Sequence, residues 1–190
     1  KHSIKKYFPF VLIFLFALAW LFYNKETKAV GFDSSPPYAY RKSITINDTL
    51  IPDTTPTFTN FPILVSLTDP DLRTVGQGGK VQNSSGFDIV FTDSDGTTQL
   101  AHQTESYTSD AVNGRLVAWV RIPSLPSNVI PDKVIYIYYG NSSIVSFQGN
   151  VTSNGVTGVW DANYVGVWHL SETTGAHLDS SLIPVNSDLI

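Results

Sequence analysis

The sequence predicts an all-β protein: an antiparallel two-sheet β-sandwich, jelly-roll or Ig-like, preceded by an N-terminal hydrophobic helix. Short apolar segments alternate with a period of two, turn residues separate them, and no helical pattern lies between them. The densest segment, residues 133–139, is β-branched or aromatic on both faces, which is typical of a central strand. Alternation places Ile135, Ile137 and Tyr139 on one face and Val134, Tyr136 and Tyr138 on the other.

The first 29 residues predict export. Five of the 12 basic residues lie within residues 1–28, and the apolar run 7–23 between them carries no charge. A basic head, an apolar body and a small-residue exit are the parts of a signal peptide, with Val30 as the first mature residue. An uncleaved anchor is the alternative, because the run reaches the lower bound of a membrane span, about 17 residues. The rest would then be extracellular, at the cell surface or periplasmic.

A β-sandwich domain is predicted over residues 40–147, after a linker over 30–39 that contains two adjacent prolines. Its first strands are predicted over 40–47 and 61–67, with Ile44 and Ile46 facing the core. Asp69 is predicted to cap one short helical turn, with Pro70 at its first position.

The second half of this domain predicts four more strands, over 87–91, 100–107, 116–122 and 133–139. Segment 100–107 alternates weakly and predicts an edge strand. In the first of these strands the inward residues are Phe87, Ile89 and Phe91. Segment 116–122 predicts one core face and one outer face, with Leu116, Ala118, Val120 and Ile122 inward and Trp119 and Arg121 outward.

A second unit begins after residue 147. Residues 141–158 are rich in Ser, Asn, Gly and Val, which predicts a boundary with a linker over 148–158, and an aromatic strand is predicted within 164–170. A lone strand is not stable, so residues 159–190 are interpreted as the truncated start of another domain or as a strand added to the first one. A start at Lys1 and the absence of methionine indicate a piece of a longer protein.

Composition narrows the classes of function. The chain is 42% apolar and only 15% charged, and it has no cysteine, which excludes disulfides, thiolate zinc sites and cysteine nucleophiles. Beyond residue 28 it holds seven basic and fifteen acidic residues, a formal charge of −8. A body this acidic lacks the basic patch that nucleic-acid binding needs.

Five ordered blocks carry a resemblance to a known family. They are residues 40–46 (YRKSITI), 59–65 (TNFPILV), 88–93 (DIVFTD), 116–120 (LVAWV) and 135–141 (IYIYYGN). Over roughly residues 40–147 the chain resembles a prokaryotic family of exported domains of unknown function. The resemblance implies a β-sandwich module of large surface proteins. Some members of that family lie on the outer side of proton-channel proteins of the TolQ/ExbB kind.

Residues 165–172 (VGVWHLSE) carry a second, partial resemblance. They are similar to the first strand of laminin-G/concanavalin A-like lectin domains, which often follow the first family. In lectin domains the loop continues Asp-Ser-Ser-Gly, whereas here residues 179–181 are followed by Leu-Ile-Pro. The resemblance thus covers only the start of such a domain. His169, Glu172 and Asp179 lie near the lectin-like segment, and a sugar or metal site there would need the missing half of that domain.

Two other polar groupings are candidate sites. Asp93 and Asp95, followed by Gly96, have the spacing that opens a calcium loop, and calcium is the one metal ion the sequence suggests. Turn formation is the alternative, because no bidentate Glu and no flanking helices accompany them. His102 and Glu105 are three apart on a predicted strand, so we expect them on opposite faces, as surface residues.

Four aromatic residues are the candidate ligand-binding residues. Trp119, Tyr136 and Tyr138 occupy faces that alternation turns away from the core, and Trp168 lies in the lectin-like segment. Aromatic rings exposed on a sandwich commonly stack on sugars. The alternative is burial beneath loops or the second sheet, because large exposed aromatic patches are rare on soluble monomers.

No motif predicts catalysis. There is no Gly-x-Ser-x-Gly elbow, and the spacing nominates no carboxylate pair of the kind a glycosidase needs. We therefore expect a non-catalytic exported surface module of a larger multidomain protein, for adhesion or binding to a polysaccharide or cell-surface glycan. Two alternatives are an extracytoplasmic structural or sensor part of a TolQ/ExbB-type proton-channel assembly, membrane-bound through residues 7–23, and an accessory module of a secreted glycan-degrading enzyme.

Overall fold

Two antiparallel sheets dominate the computed structural model, which describes residues 38–47, 57–126, 132–153, 155–171, 173–175 and 177–181. The predicted signal peptide or hydrophobic helix, and most of the linker, lie outside the described residues. Within those ranges, no helix is long and apolar enough to cross a membrane.

The strands fall into two main sheets and one hairpin. The first sheet has the order β1-β7-β3-β4, the second β2-β6-β5, and β8 pairs with β9. Their bounds are β1 Tyr40–Ile46, β2 Phe58–Asp69, β3 Val90–Thr92, β4 Gln99–Leu100, β5 His102–Ser109, β6 Gly114–Leu125, β7 Lys133–Tyr139, β8 Thr152–Ser153 and β9 Val156–Thr157. The prediction of an all-β fold with two antiparallel sheets is confirmed.

One hydrophobic core lies between the two main sheets. β6 contributes the four residues that alternation predicted, Leu116, Ala118, Val120 and Ile122, each at most 1% exposed. The first sheet contributes Phe91, Ile135, Ile137 and Tyr139 to the same cluster. Burying each large aliphatic side chain stabilises the fold by about 1.5–3 kcal/mol, so these facing rows hold the layers together.

β7 is a central strand, as its composition predicts, and both its faces are covered. Its second face packs Tyr138 against Tyr38 and Val90, and Tyr136 borders the same cluster. Tyr38 immediately precedes β1, so the chain enters the domain across the outer face of the first sheet.

The predicted helical turn is confirmed. Residues Pro70–Leu72 form a 3-10 turn, with proline in its first positions. The Asp69 carboxylate accepts a hydrogen bond from the Asp71 N–H at 2.8 Å. A second 3-10 turn, Val75–Gln77, follows and ends at Gly78.

The predicted strand over 87–91 is wrong at its start, because only Val90–Thr92 is extended. Asp88 is fully buried, and its carboxylate accepts hydrogen bonds from the backbone N–H groups of Gln82, Asn83 and Gly140. The preceding backbone bends to make these contacts, and Ile89 N–H closes a turn onto the Gly86 carbonyl. Ile89 and Phe91 are buried as predicted, whereas Phe87 is only partly buried.

Residues 148–181 differ from the predicted linker and strand. The linker contains the β8-β9 hairpin, and the aromatic segment 164–170 forms a single antiparallel bridge, between Trp168 and Asp179, in place of a strand. The described part of this segment, which we call the tail (residues 156–181), packs on the outer face of the β2-β6-β5 sheet through the contacts described below.

Candidate ligand-binding groove

The outer face of the three-stranded sheet is apolar and aromatic where an exposed sheet would be polar. Alternation along β6 turns Val117, Trp119 and Arg121 away from the core. The register places Leu64 of β2 on one side of Trp119 and Gln103 of β5 on the other. This row is the floor on which the tail lies.

Trp160 attaches the tail to this floor. Its ring packs edge-on against Trp119, with centroids 5.4 Å apart, and against Tyr164 at 5.1 Å. Its indole N–H donates to Gln103 Oε1 at 2.7 Å, and the Gln103 amide donates in turn to Ser180 Oγ at 3.0 Å. One glutamine therefore holds both ends of the tail.

Arg121 is a buried charged residue beneath the tail, only 1% exposed. Its Nη2 donates to the Val156 carbonyl at 2.7 Å. Burial lowers the pKa of the guanidinium, and the nearby Asp161 carboxylate opposes that shift. The tail thus supplies a carbonyl acceptor and a counter-charge for a cation that the sheet alone would leave exposed to solvent.

Glu105 lies where β5 is irregular, because the register with β6 shifts between Thr104 and Ser106. Its Oε1 accepts a hydrogen bond from the Trp119 indole N–H at 2.8 Å. The same oxygen contacts Nδ1 of His169 in the tail. The carboxylate is therefore fixed between a sheet residue and a tail residue.

These residues enclose an open groove of about 460 Å³ between the sheet and the tail. It is lined by Leu64, Glu105, Val117, Trp119, Trp160, Val167, Trp168 and His169. Trp168 is 44% exposed and Leu64 is 52% exposed, so the groove presents apolar surface to solvent. Apolar walls with a few fixed polar groups are the usual composition of a small-molecule site.

The four aromatic residues selected from the sequence separate into two pairs. Trp119 and Trp168, 49 positions apart, line the same groove. Tyr136 and Tyr138 lie on the other sheet, and Tyr138 is fully buried, its hydroxyl donating to the Gly96 carbonyl at 2.9 Å. Tyr136 is partly buried beneath the Arg41 guanidinium, 4.8 Å from its ring centroid. The ligand role of the two tryptophans stays a prediction.

The acidic pair proposed for calcium forms a turn closed by its own contacts. Asp95 accepts hydrogen bonds from Thr97 N–H, Thr98 N–H and the Thr98 hydroxyl, and the hydroxyl bond is the main cause of its pKa falling to about 2. Asp93 pairs with Lys133. In the described ranges, no group of three or more His, Cys, Asp or Glu side chains is arranged to hold a metal ion.

The expectation that His102 lies at the surface is wrong, whereas Glu105 lies partly exposed on the opposite face. His102 is 2% exposed and sits between the edges of Phe91 and Phe147. Burial lowers its pKa to about 4, while the backbone carbonyls of Leu100 and Ile89 partly oppose the shift. Phe147 covers His102 at the start of β5, in the segment that the sequence predicted to be an exposed edge strand.

Glu105 and Trp160 were not predicted as site residues, and His169 was considered only as part of a sugar or metal site in the lectin-like segment. The sequence identified the density of aromatic residues over 159–170 and left open that this segment adds a strand to the first domain, but it did not indicate that the segment packs on the outer face of β6. The irregularity of β5 that positions Glu105 was not predicted from the sequence either.

Comparison with known protein families decides the affiliation. The model of the family described as a domain of unknown function, DUF2341, matches residues 85–180, which is half of the chain. The chain belongs to the DUF2341 family. No curated protein matches it, and no solved structure does. The DUF2341 match runs from the loop before β3 to Ser180, and it therefore includes β5, β6, β7 and nearly all of the tail.

Proposed function

We propose that this DUF2341 domain is a non-catalytic, exported glycan-binding module and that the groove between the β2-β6-β5 sheet and the tail is its binding site. The observation that carries the proposal is the convergence of Trp119 and Trp168 beside the fixed carboxylate of Glu105. Indole rings offer flat apolar faces to the C–H faces of sugars, and a fixed carboxylate accepts hydrogen bonds from sugar hydroxyls.

Two features of the sequence support the location and the class. The basic head followed by an apolar run over 7–23 favours delivery across a membrane, to the cell surface, the extracellular space or the periplasm. The likeness of residues 165–172 to the opening of laminin-G/concanavalin A-like domains favours a sugar ligand. In this proposal the lectin-like residues serve the sandwich itself, because Trp168 and His169 line its groove.

A glycan array and polysaccharide pull-down with residues 30–190 test the proposal, in calcium and in a calcium chelator. We expect a soluble glycan to bind in both conditions and Trp168→Ala to weaken it at least roughly tenfold, which is about 1.4 kcal/mol. Phe61→Ala is the matched control, since Phe61 is a comparably exposed aromatic side chain (40%) outside the groove.

Two results would count against the proposal: no binding to any glycan in either condition, or equal loss in the Trp168→Ala and Phe61→Ala variants. Absence of binding would favour the alternative function, a structural role in a proton-channel assembly. Far-ultraviolet circular dichroism of each variant separates lost binding from lost fold.

A further inference from the structure

A second groove opens on the other side of Glu105. It measures about 500 Å³ and is bounded by β5, the loop before β3 and the segment after β7. Its lining residues are Ser84, Ser85, Phe87, Gln103, Thr104, Glu105, Ser106, Tyr107 and Phe147. Hydroxyl groups predominate there, with the partly buried rings of Phe87 and Phe147 as apolar partners, whereas tryptophan rings predominate in the first groove.

The two grooves meet at one side chain. Glu105 lines both of them, and Gln103, which lines the second, is hydrogen-bonded to Trp160 of the first. The irregularity of β5 between Thr104 and Ser106 brings Glu105 to this junction. Trp119 and His169 both contact Oε1 of this carboxylate, so a ligand hydroxyl that enters either groove would donate to Oε2.

The charge of the combined surface restricts its ligand. Among the described residues that line either groove there is no lysine or arginine, and the one carboxylate is that of Glu105. A polyanion would therefore meet the Glu105 carboxylate with no lysine or arginine to offset it, and the one imidazole among these lining residues, that of His169, is already engaged by Glu105. A neutral chain would meet ring faces for stacking and hydroxyls for hydrogen bonding.

We infer that the two grooves form one continuous site for an internal stretch of a linear, uncharged polysaccharide that crosses the β5 edge at Glu105. The inference rests on the proposed function and deepens it, because it names the ligand class and its polarity. Each groove alone has the volume of a small-ligand site, roughly 300–1,000 Å³, so the pair accommodates several consecutive sugar residues.

Chain length is the first test. Isothermal titration calorimetry of residues 30–190 uses a panel of neutral cello-, xylo-, manno- and malto-oligosaccharides of two to six residues. We expect affinity to rise at least tenfold from the disaccharide to the hexasaccharide in the series that binds. The charge argument is tested with the neutral polymer of the series that binds and with its carboxymethylated form, which carries negative charges on the same backbone.

An obstructing substitution is the second test. Ser84→Trp fills the second groove at an exposed position without removing a core contact. We expect it to lower hexasaccharide affinity at least fivefold and to leave disaccharide affinity unchanged. Ser146→Trp, at an exposed position outside both grooves, is the matched control.

The possible failures are distinguishable. Equal affinity for disaccharide and hexasaccharide, or unchanged hexasaccharide affinity in Ser84→Trp, overturns the continuous site while the Trp168-dependent function stands. Preference for the anionic polymer overturns the ligand polarity. If no member of the neutral panel binds while an anionic glycan on the array does, the inference fails and the proposed function stands; if nothing binds at all, both fail.

Discussion

The Gly140 N–H donates to the Asp88 carboxylate at 3.0 Å, a buried hydrogen bond between residues 52 positions apart. It joins the loop before β3 to the end of β7. Gly140 has a φ of +88°, and a Cβ there would meet the Tyr40 ring at 2.6 Å, so glycine is required where β7 ends. Asp88 and Gly140 lie in two of the sequence blocks that carry the family resemblance, 88–93 and 135–141. Their hydrogen bond is a structural reason for the presence of aspartate and glycine in those blocks.

Asp88→Ala should destabilise the domain by about 3 kcal/mol, because it removes the acceptor of three backbone N–H groups. Urea denaturation followed by tryptophan fluorescence measures the change. Asp71→Ala is the control: its side chain is 43% exposed and pairs with Lys42 at the surface, so the cost should stay under about 1 kcal/mol. Equal losses in the two variants would contradict the buried role of Asp88.

His102 should make stability fall as the pH drops from 6.5 towards 4. Burial holds its folded-state pKa near 4, below the ordinary value of 6.5, so the unfolded chain binds the proton first. The stability it contributes is complete above pH 6.5 and is lost progressively down to about pH 4, by up to about 3 kcal/mol. Denaturation midpoints at half-unit pH steps measure this.

His102→Phe removes the titrating group and keeps an aromatic ring between Phe91 and Phe147. The difference between wild type and variant isolates the histidine from carboxylates that titrate at similar pH. A difference that stays constant from pH 7 to pH 4 would show that His102 titrates normally.

The tail should be required for the stability of the sandwich. Trp160 is 8% exposed and contacts Trp119, Tyr164 and Gln103, so Trp160→Ala should cost about 3–5 kcal/mol. Trp168→Ala, which removes a ring that is 44% exposed, should cost far less. Thermal unfolding of both variants within residues 30–190 provides the measurement, and an unchanged midpoint in Trp160→Ala would show that the tail is dispensable.

Arg121→Ala should destabilise the domain by about 3 kcal/mol, because it leaves the Val156 carbonyl and the Asp161 carboxylate without their buried cation. Arg115→Ala is the matched control on the same strand. Its ion pair with Asp110 is about half exposed, so its loss should cost under about 1 kcal/mol. Comparable midpoints for the two variants in urea would be inconsistent with a buried role for Arg121.

The sequence correctly predicted the features that depend only on neighbouring residues. Alternation predicted the core-facing residues of β6, and the Asp69-Pro70 pair predicted the helical turn that follows it. His102 was misplaced because its burial comes from Phe147, 45 positions away. Asp88 was assigned to a strand because its three partners are backbone N–H groups, and backbone groups have no signature in the sequence.

The same distinction applies to the groove. Trp119 and Trp168 were recognisable as candidates from residue type and strand face. Their meeting depends on the tail folding back, which is determined by contacts such as Gln103 with Trp160 and Ser180. Periodicity reports which way a side chain points, but it does not report which distant segment covers it.

The two ends of the described chain lie against opposite outer faces of the sandwich: Tyr38 packs on the first sheet, and Ser180 is bound to Gln103 on the second. Part of each outer face is therefore shielded from solvent by residues that do not belong to the strands beneath them. The sandwich is closed on both sides by its own chain, so residues that flank the strands contribute to its stability as well as the strands themselves.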